Sequence, residues 1–302
     1  MTRVPSRPQA NILQSEAVGI LGLGQMGGSL ARALVHRGIR VVGFDVRRSL
    51  LVSSLRSHTI SASAASDRLL LDRCSIVILA LPMSVTLAFL EKHHSVLRQK
   101  LAVIDLASIR TPLSWLSSKL GLKNHVGIHF VCGSEKRGRA AWNEALFSKA
   151  PAVFFPQGAS SGSIRAAREL MATVDARACR MDPHTHDAHF AITSGLPHVL
   201  AYTLAETWVR QKRHPKELEG PSFRSTTRVA SSDPHIASEL LQYNRKHLLN
   251  ALRKYRMFLD SFERLLRRDD GGRLGKRMAM VYNRMSRDRD PHRTPQPKEH
   301  PK

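Results

Sequence analysis

The chain has 302 residues, enough for two domains of ordinary size. Hydrophobic residues make up 42%, so a core can form, and no apolar run approaches the ~20 residues that span a bilayer; global disorder and membrane insertion are excluded as classes. The formal net charge of +23 comes without zinc-finger spacing or an aromatic RNA-binding strand, so it reads as solubility or attraction for anionic small molecules, not as a nucleic-acid footprint.

Residues 1–15 are polar and basic, lack a signal-peptide core, and are expected to be a disordered N-terminal arm of a cytoplasmic protein. Val18–Leu23 is a short apolar run ending in glycines, Ser29–His36 alternates as a helix does and is closed by Gly38, and Val41–Phe44 is a second run ending at Asp45. This is a strand, turn, helix, strand unit. Its turn, Gly22-Leu23-Gly24-Gln25-Met26-Gly27, is a G-x-G-x-x-G. Gly22 permits the tight turn, Gly24 lets the backbone approach a pyrophosphate, and Gly27 lets helix and strand pack closely. The helix N-terminus at Gln25 and Met26 offers N–H groups to phosphate. Asp45, 18 residues after Gly27, is placed to bond ribose hydroxyls, which favours NAD; Arg47 and Arg48 follow at once and keep NADP open.

Further apolar runs at Ile76–Leu81, Leu101–Leu106, Val126–Phe130 and Ala152–Phe155 suit a parallel sheet covered on both faces. Residues 16–181 are therefore expected to form a Rossmann-type, doubly wound α/β domain. Asp105-Leu106-Ala107-Ser108-Ile109-Arg110 and Gly127-Ile128-His129 end adjacent strands at the edge where such sheets bind ligands. Ser108 and His129 are thus predicted neighbours, with the hydroxyl fixing the imidazole's orientation. Cys74, Cys132 and Cys179 have no metal-ligand spacing and leave an odd count, as reduced thiols do; no metal site is expected.

After Asp182-Pro183 no strand-like run remains. Leu196, Val199, Leu200, Leu204 and Trp208 share a helical stripe, and Leu241, Leu248, Leu252, Tyr255, Leu259, Phe262 and Leu266 follow heptad-like spacing on a helix opened by Asp233-Pro234. Running to Arg268, that helix would be about 50 Å long. A domain of residues 182–268 alone is too small to cover it, which predicts a homodimer through the helical domain. Residues 269–302 read as a basic, disordered tail with no fused regulatory module.

Taken in order, GLGQMGGSLA (22–31), IVILALP (76–82), DLASIR (105–110), GIHFVCGSEKRG (127–138), ITSGLPHVLA (192–201) and FRSTTRVASSDP (223–234) resemble the prephenate/arogenate dehydrogenase family. The resemblance implies a Rossmann domain followed by an all-α dimerisation domain. It also implies NAD(P)-dependent oxidative decarboxylation of a small anionic cyclohexadienyl acid, prephenate to 4-hydroxyphenylpyruvate, in tyrosine biosynthesis. It casts His129 as the catalytic histidine bonding the substrate's C4 hydroxyl, Ser108 as the serine beside it and the nicotinamide, Arg228 as the carboxylate-binding arginine, and His198 as a second active-site histidine. Ser194 and Glu135 fall at motif positions that are either pocket-facing or structural.

Four departures from the family pattern leave arogenate or 4-amino-4-deoxyprephenate as alternative substrates. Phe130 stands where Pro is usual, Cys132 where a small residue is common, Gly195 where many members have His, and His235-Ile236-Ala237 where many carry Trp. Imine or β-hydroxyacid reductases of similar architecture rely on a lysine or another donor in the helical domain, and here the LPH and TTRVASSDP segments occupy that place.

Overall fold

The apolar runs pair into one sheet. The computed structural model describes residues 11–133, 138–213 and 215–289. Strands β1 (Val18–Leu21), β2 (Val41–Phe44), β3 (Ala62–Ser63), β4 (Ile76–Leu79), β5 (Ala102–Asp105), β6 (His125–Phe130), β7 (Pro151–Phe155) and β8 (Arg177–Arg180) lie in the order β3-β2-β1-β4-β5-β6-β7-β8. The helices before and between them are α1 (Ile12–Ser15), α2 (Gln25–Val35), α3 (Arg48–Arg56), α4 (Asp67–Arg73), α5 (Met83–Leu97), α6 (Thr111–Lys119) and α7 (Ser161–Thr173).

Alternate residues of each central strand feed opposite apolar layers. Ile76 and Ile78 of β4 join Leu30, Leu34, Leu170 and Met171 on one face, while Val77 and Leu79 join Leu70, Leu90, Leu113 and Leu116 on the other. A strand buried on both faces must be apolar at every position, which is why these runs read as continuous rather than alternating. The chain leaves β1 toward β2 and β3, then returns to lay β4 on the other side of β1. That reversal is the switch point where doubly wound sheets bind ligands, beyond the carboxyl ends of the strands.

Two strands and one direction depart from the expected parallel sheet. β7 runs antiparallel to β6, so the sheet is mixed. β3 is only two residues long, and β8 (Arg-Ala-Cys-Arg) is an exposed edge strand held by its parallel ladder to β7, with no apolar signal to announce it.

Beyond β8 the described residues are helical: α8 (Pro183–Phe190), α9 (Leu196–Val209), α10 (Pro221–Thr227), α11 (Pro234–Tyr243), α12 (Arg245–Arg267) and α13 (Gly271–Arg289). A π turn, Ala191–Gly195, links α8 to α9. The helix expected from Asp233-Pro234 to Arg268 is two helices. Asn244 breaks it, because its buried side chain donates to the Asp187 carbonyl at 2.8 Å, fixing the α11–α12 junction against α8. The chain divides into two compact units, Met1–Leu248 and Leu249–Lys302.

Residues 11–15 and 270–289 are more ordered than the composition suggests. In the assumed arm, α1 is capped by Asn11 and held by Glu169, whose carboxylate accepts the Ile12 and Leu13 amides. In the assumed tail, α13 starts where Asp270 accepts the Arg273 amide at 2.9 Å. It packs on α12 through Arg277, whose guanidinium lies 4.0 Å from the Phe262 ring and donates to Ser261 Oγ and the Phe258 carbonyl. Residues 1–10 and 290–302 lie outside the described residues.

Candidate active site

The register of the parallel strands aligns Leu21, Leu79, Asp105 and Gly127 in one row across the sheet. Everything after that row projects from one edge: the glycine turn, Ala80-Leu81-Pro82, the 106–110 loop and His129.

The glycine turn is shaped as a phosphate cradle. Gly22 has φ +88°, and a Cβ there would lie 2.4 Å from the Ala80 carbonyl oxygen; a Cβ on Gly27 would lie 1.9 Å from the Gly22 oxygen. Neither position admits a side chain. Gly24 caps α2 with no side-chain bond, and a Cβ on it would meet nothing within 4 Å. The open space beside the Gly24 backbone, at the start of α2, is what the approach of a pyrophosphate requires. The Trp142 indole N–H braces the turn, donating to the Leu23 and Gly24 carbonyls at 3.0 and 3.1 Å. Asp45 is buried at the end of β2 and accepts from the Leu23 amide (2.8 Å), the Arg47 amide (2.9 Å) and the Arg47 guanidinium (3.1 and 3.3 Å). Burial opposes its ionisation, but the Arg47 and Leu23 hydrogen bonds outweigh it and hold the carboxyl below its usual value. These residues fit a dinucleotide.

His129, on β6, is 5% exposed. Its Nδ1 lies 2.9 Å from Nε2 of His186, and its ring meets Phe190 edge-on at 4.7 Å. His186 Nδ1 in turn lies 2.9 Å from Asp187 Oδ1. Asp187 also accepts the backbone amides of Arg110 (2.9 Å) and Thr111 (2.7 Å), at the start of α6. Under this group sits a buried ion pair. Arg110 Nη2 donates to Asp105 at 2.7 Å, His125 Nε2 lies 2.9 Å from the same carboxylate, and the guanidinium stands 4.9 Å from the Phe155 ring centre. A Cβ on Gly127 would fall 1.6 Å from Arg110 Nη2, so that glycine makes room for the guanidinium.

The electrostatics follow from this enclosure. Burial, the neighbouring His186 and the Arg110 guanidinium push the His129 imidazole down to about 3. Burial also opposes ionisation of Asp187, but hydrogen bonds from His186, Thr111 and Arg110 keep it below the ordinary carboxylate value. Asp105 is also held below the ordinary carboxylate value, because Arg110 and His125 outweigh its burial. The site holds an imidazole that is neutral at physiological pH beside fully ionised carboxylates.

The expected site residues fall into two groups. Ser108 lies, half-exposed, in the loop beside β6, but the partner of His129 Nδ1 is His186, 57 residues away in sequence. The second group, Ser194 and His198, lies along the α8–α9 run and continues the four-residue spacing of His186 and Phe190, which the sequence reading did not single out. His198 Nδ1 donates to the Ser194 carbonyl at 2.9 Å, which leaves Nε2 for a ligand. Arg228 begins a 3₁₀ turn, Arg228–Ser231, that packs against α9 and leaves the residue exposed. Glu135 lies outside the described residues.

Two departures from the family pattern serve packing. Phe130 is buried against Phe147, 4.6 Å between ring centres, and fills the core. Gly195 is buried facing Leu248, 3.3 Å from where its Cβ would be. Cys132 is a half-buried thiol pushed up to about 11 by burial, unsuited to nucleophilic attack.

The family profile described as "Prephenate dehydrogenase, nucleotide-binding domain" matches residues 30–180, and "Prephenate dehydrogenase, dimerization domain" matches residues 182–280. The chain belongs to the prephenate dehydrogenase family. It is 28% identical over 268 residues to a prephenate dehydrogenase of Bacillus subtilis, covering 86% of this chain and 72% of that one. A cyclohexadienyl dehydrogenase of Zymomonas mobilis is 25% identical over 264 residues, 84% of this chain and 89% of that one. In three dimensions the chain shares its fold with prephenate dehydrogenase from A. aeolicus, solved with hydroxyphenyl propionate and NAD+; the TM-score is 0.83 at 24% identity, over 90% of this chain and 98% of that one. Among the described residues, no helix of this family member is long and apolar enough to cross a membrane, and no cluster of side chains could hold a metal ion.

Proposed function

We propose that this chain oxidatively decarboxylates prephenate to 4-hydroxyphenylpyruvate with NAD as cofactor, acting as a cytoplasmic homodimer. The observation that carries the reading is the placement of a dinucleotide cradle and a neutral, buried imidazole on one edge of the same sheet. The names of the Bacillus and Lactococcus lactis relatives, both prephenate dehydrogenases, support prephenate over its amino analogues.

NAD, when bound, supplies the acceptor for the hydride that leaves C4 of the substrate. His129 takes the C4 hydroxyl proton through Nε2, the ring nitrogen not engaged by His186, so C4 becomes a carbonyl. Loss of CO₂ from the opposite ring carbon then returns the electron pair to that oxygen and aromatises the ring, and the proton held on the enzyme is returned to the phenolate. Arg228 binds a substrate carboxylate; its guanidinium is permanently charged and has a fork suited to bidentate contact. Ser108, Ser194 and His198 orient the ring and its side chain.

Asp45 supports NAD over NADP. Its two oxygens accept four hydrogen bonds, two of them from the guanidinium of Arg47, whose side chain is 56% exposed. Ribose hydroxyls can replace that guanidinium on the carboxylate, whereas a 2′-phosphate would meet its negative charge.

The test is NADH absorbance with prephenate and arogenate in parallel, each with NAD and NADP. Turnover with prephenate and NAD is expected. His129→Asn is expected to lower kcat by about 10²-fold or more with NAD binding retained, and Arg228→Ala to raise KM by about 10-fold or more. Wild-type protein that binds NAD but turns over neither acid would end this reading.

A further inference from the structure

His129 presents a difficulty. It is enclosed, and Arg110 stands close enough to disfavour a positive charge on it. An imidazole in that setting is a poor holder of the positive charge that arrives with the substrate's proton. The geometry supplies a remedy.

Asp187 is an ionised carboxylate and can only accept, so His186 Nδ1 carries the hydrogen between them. In the form of His186 that carries no proton on Nε2, that nitrogen has a lone pair, and the hydrogen in the 2.9 Å contact with His129 is the one on His129 Nδ1. This chain of donors fixes His129 in the tautomer whose Nε2 is a base. It also opens a route for charge.

We propose that His129, His186 and Asp187 form a two-imidazole proton relay in which His186 and Asp187 are positioning residues that hold the substrate's proton away from it until decarboxylation. The inference rests on His129 as the proton acceptor. The substrate O–H bond breaks as hydride leaves C4, its electron pair becomes the second bond of the C4 carbonyl, and the proton bonds to His129 Nε2. The Nδ1 proton of His129 passes to His186 Nε2. His129 is neutral again, and the positive charge lies on His186, one hydrogen bond from the Asp187 carboxylate. When the phenolate forms, the two transfers reverse.

Asp187 adds a second constraint. By accepting the Arg110 and Thr111 amides it pins the end of the loop that carries Ser108 to the helix that carries His186. One carboxylate sets the register between hydroxyl and imidazole.

The test compares Asp187→Asn, His186→Gln and the double variant with wild type and His129→Asn. Asparagine keeps an acceptor for the α6 amides but removes the charge. Glutamine can accept from His129 Nδ1 but cannot take a proton. Each single variant is expected to lower kcat by about 10²-fold, with KM and the NAD dissociation constant within about 3-fold of wild type. The double variant is expected to be no slower than the worse single one, since the residues act as a unit.

The acid limb of kcat is a readout that a merely structural role would not move. The groups facing the pair are Arg110 and Asp105 from the sheet edge, Asp187 on its own helix, and His184 and His247, whose rings pack 4.5 Å apart. Only Asp187 changes in Asp187→Asn, and the limb is expected to move to lower pH because the relay loses its counter-charge. Wild-type kcat and an unmoved acid limb in both single variants, with His129→Asn inactive, would overturn the relay and leave the reaction standing. A loss of kcat matched by loss of NAD binding or a large fall in Tm would also overturn it, marking the pair as structural. If Asp187→Asn fails to fold, His186→Gln decides. Wild type inactive on every cyclohexadienyl acid is a failure of the proposed function instead.

Discussion

His129 shows how one residue couples catalysis to stability. Folded, its imidazole titrates near about 3, against an ordinary value of 6.5. Between those two values the unfolded chain binds a proton that the folded chain refuses, so stability falls as pH drops below about 6.5. Asp45, Asp105 and Asp187, all lowered, add losses of the same sign once pH passes below their ordinary value of 3.8. One refused proton is worth about 1.4 kcal/mol per pH unit. Thermal unfolding followed from pH 7 to 5 should therefore show a decline in wild type that is shallower by about that slope in His129→Asn. Identical slopes would mean that the folded imidazole takes up its proton over the same pH range as the unfolded one. What was legible at this scale was local: the glycine turn and Asp45 announce themselves by spacing along a single βαβ unit. His186 and Asp187 did not, because their role comes from a strand 57 residues upstream, and a His-Asp pair inside the first turns of a helix looks like an ordinary polar surface.

Between elements, the helices of the sheet are capped by acids from the helical segment. Asp187 accepts the first amides of α6, and Glu239 accepts the Met83 amide at 2.9 Å and also bonds Ser84 at the start of α5. Each carboxylate meets the positive end of a helix dipole. Glu239 is 9% exposed, so Glu239→Ala leaves orphan amides with restricted access to water. A loss of about 1–2 kcal/mol is expected, seen as a lower urea midpoint with unchanged slope; an unmoved midpoint would show that the cap contributes nothing. These contacts also explain which elements were misread. The heptad-like leucines correctly located helix on both sides of Asn244, but the break depends on a bond to the Asp187 carbonyl that no periodicity encodes. Helix α13 carries Leu274, Met278, Val281 and Met285 at spacings of 4, 3 and 4, a stripe obscured by the arginines around it. The central strands were legible because burial on both faces forces every position to be apolar.

At the scale of the whole molecule, the helices of the Leu249–Lys302 unit leave large apolar side chains uncovered. Met257, Phe258, Leu259 and Leu266 on α12, and Met278, Val281 and Tyr282 on α13, are each at least half exposed. A monomer rarely tolerates so much apolar surface in one unit, and a second copy is the expected cover. Light scattering should give twice the chain mass of 33.7 kDa, and Leu259→Glu combined with Met278→Glu should shift the protein toward monomer. A wild-type monomer at micromolar concentration would refute the assembly. The fold class and the two-part order of the chain were legible in patterning; the mixed strand direction was not, since antiparallel β7 has the same apolar content as its parallel neighbours.

The carboxylates that cap α5 and α6 have an evolutionary corollary. A chain severed after Met181 would retain all eight strands and the glycine turn, yet it would surrender Asp187, Glu239 and His186 together. Nucleotide half and helical half are thus ill suited to being shuffled independently between proteins. A swap would preserve the cradle while discarding the partner of His129, so the two halves should be inherited as one piece.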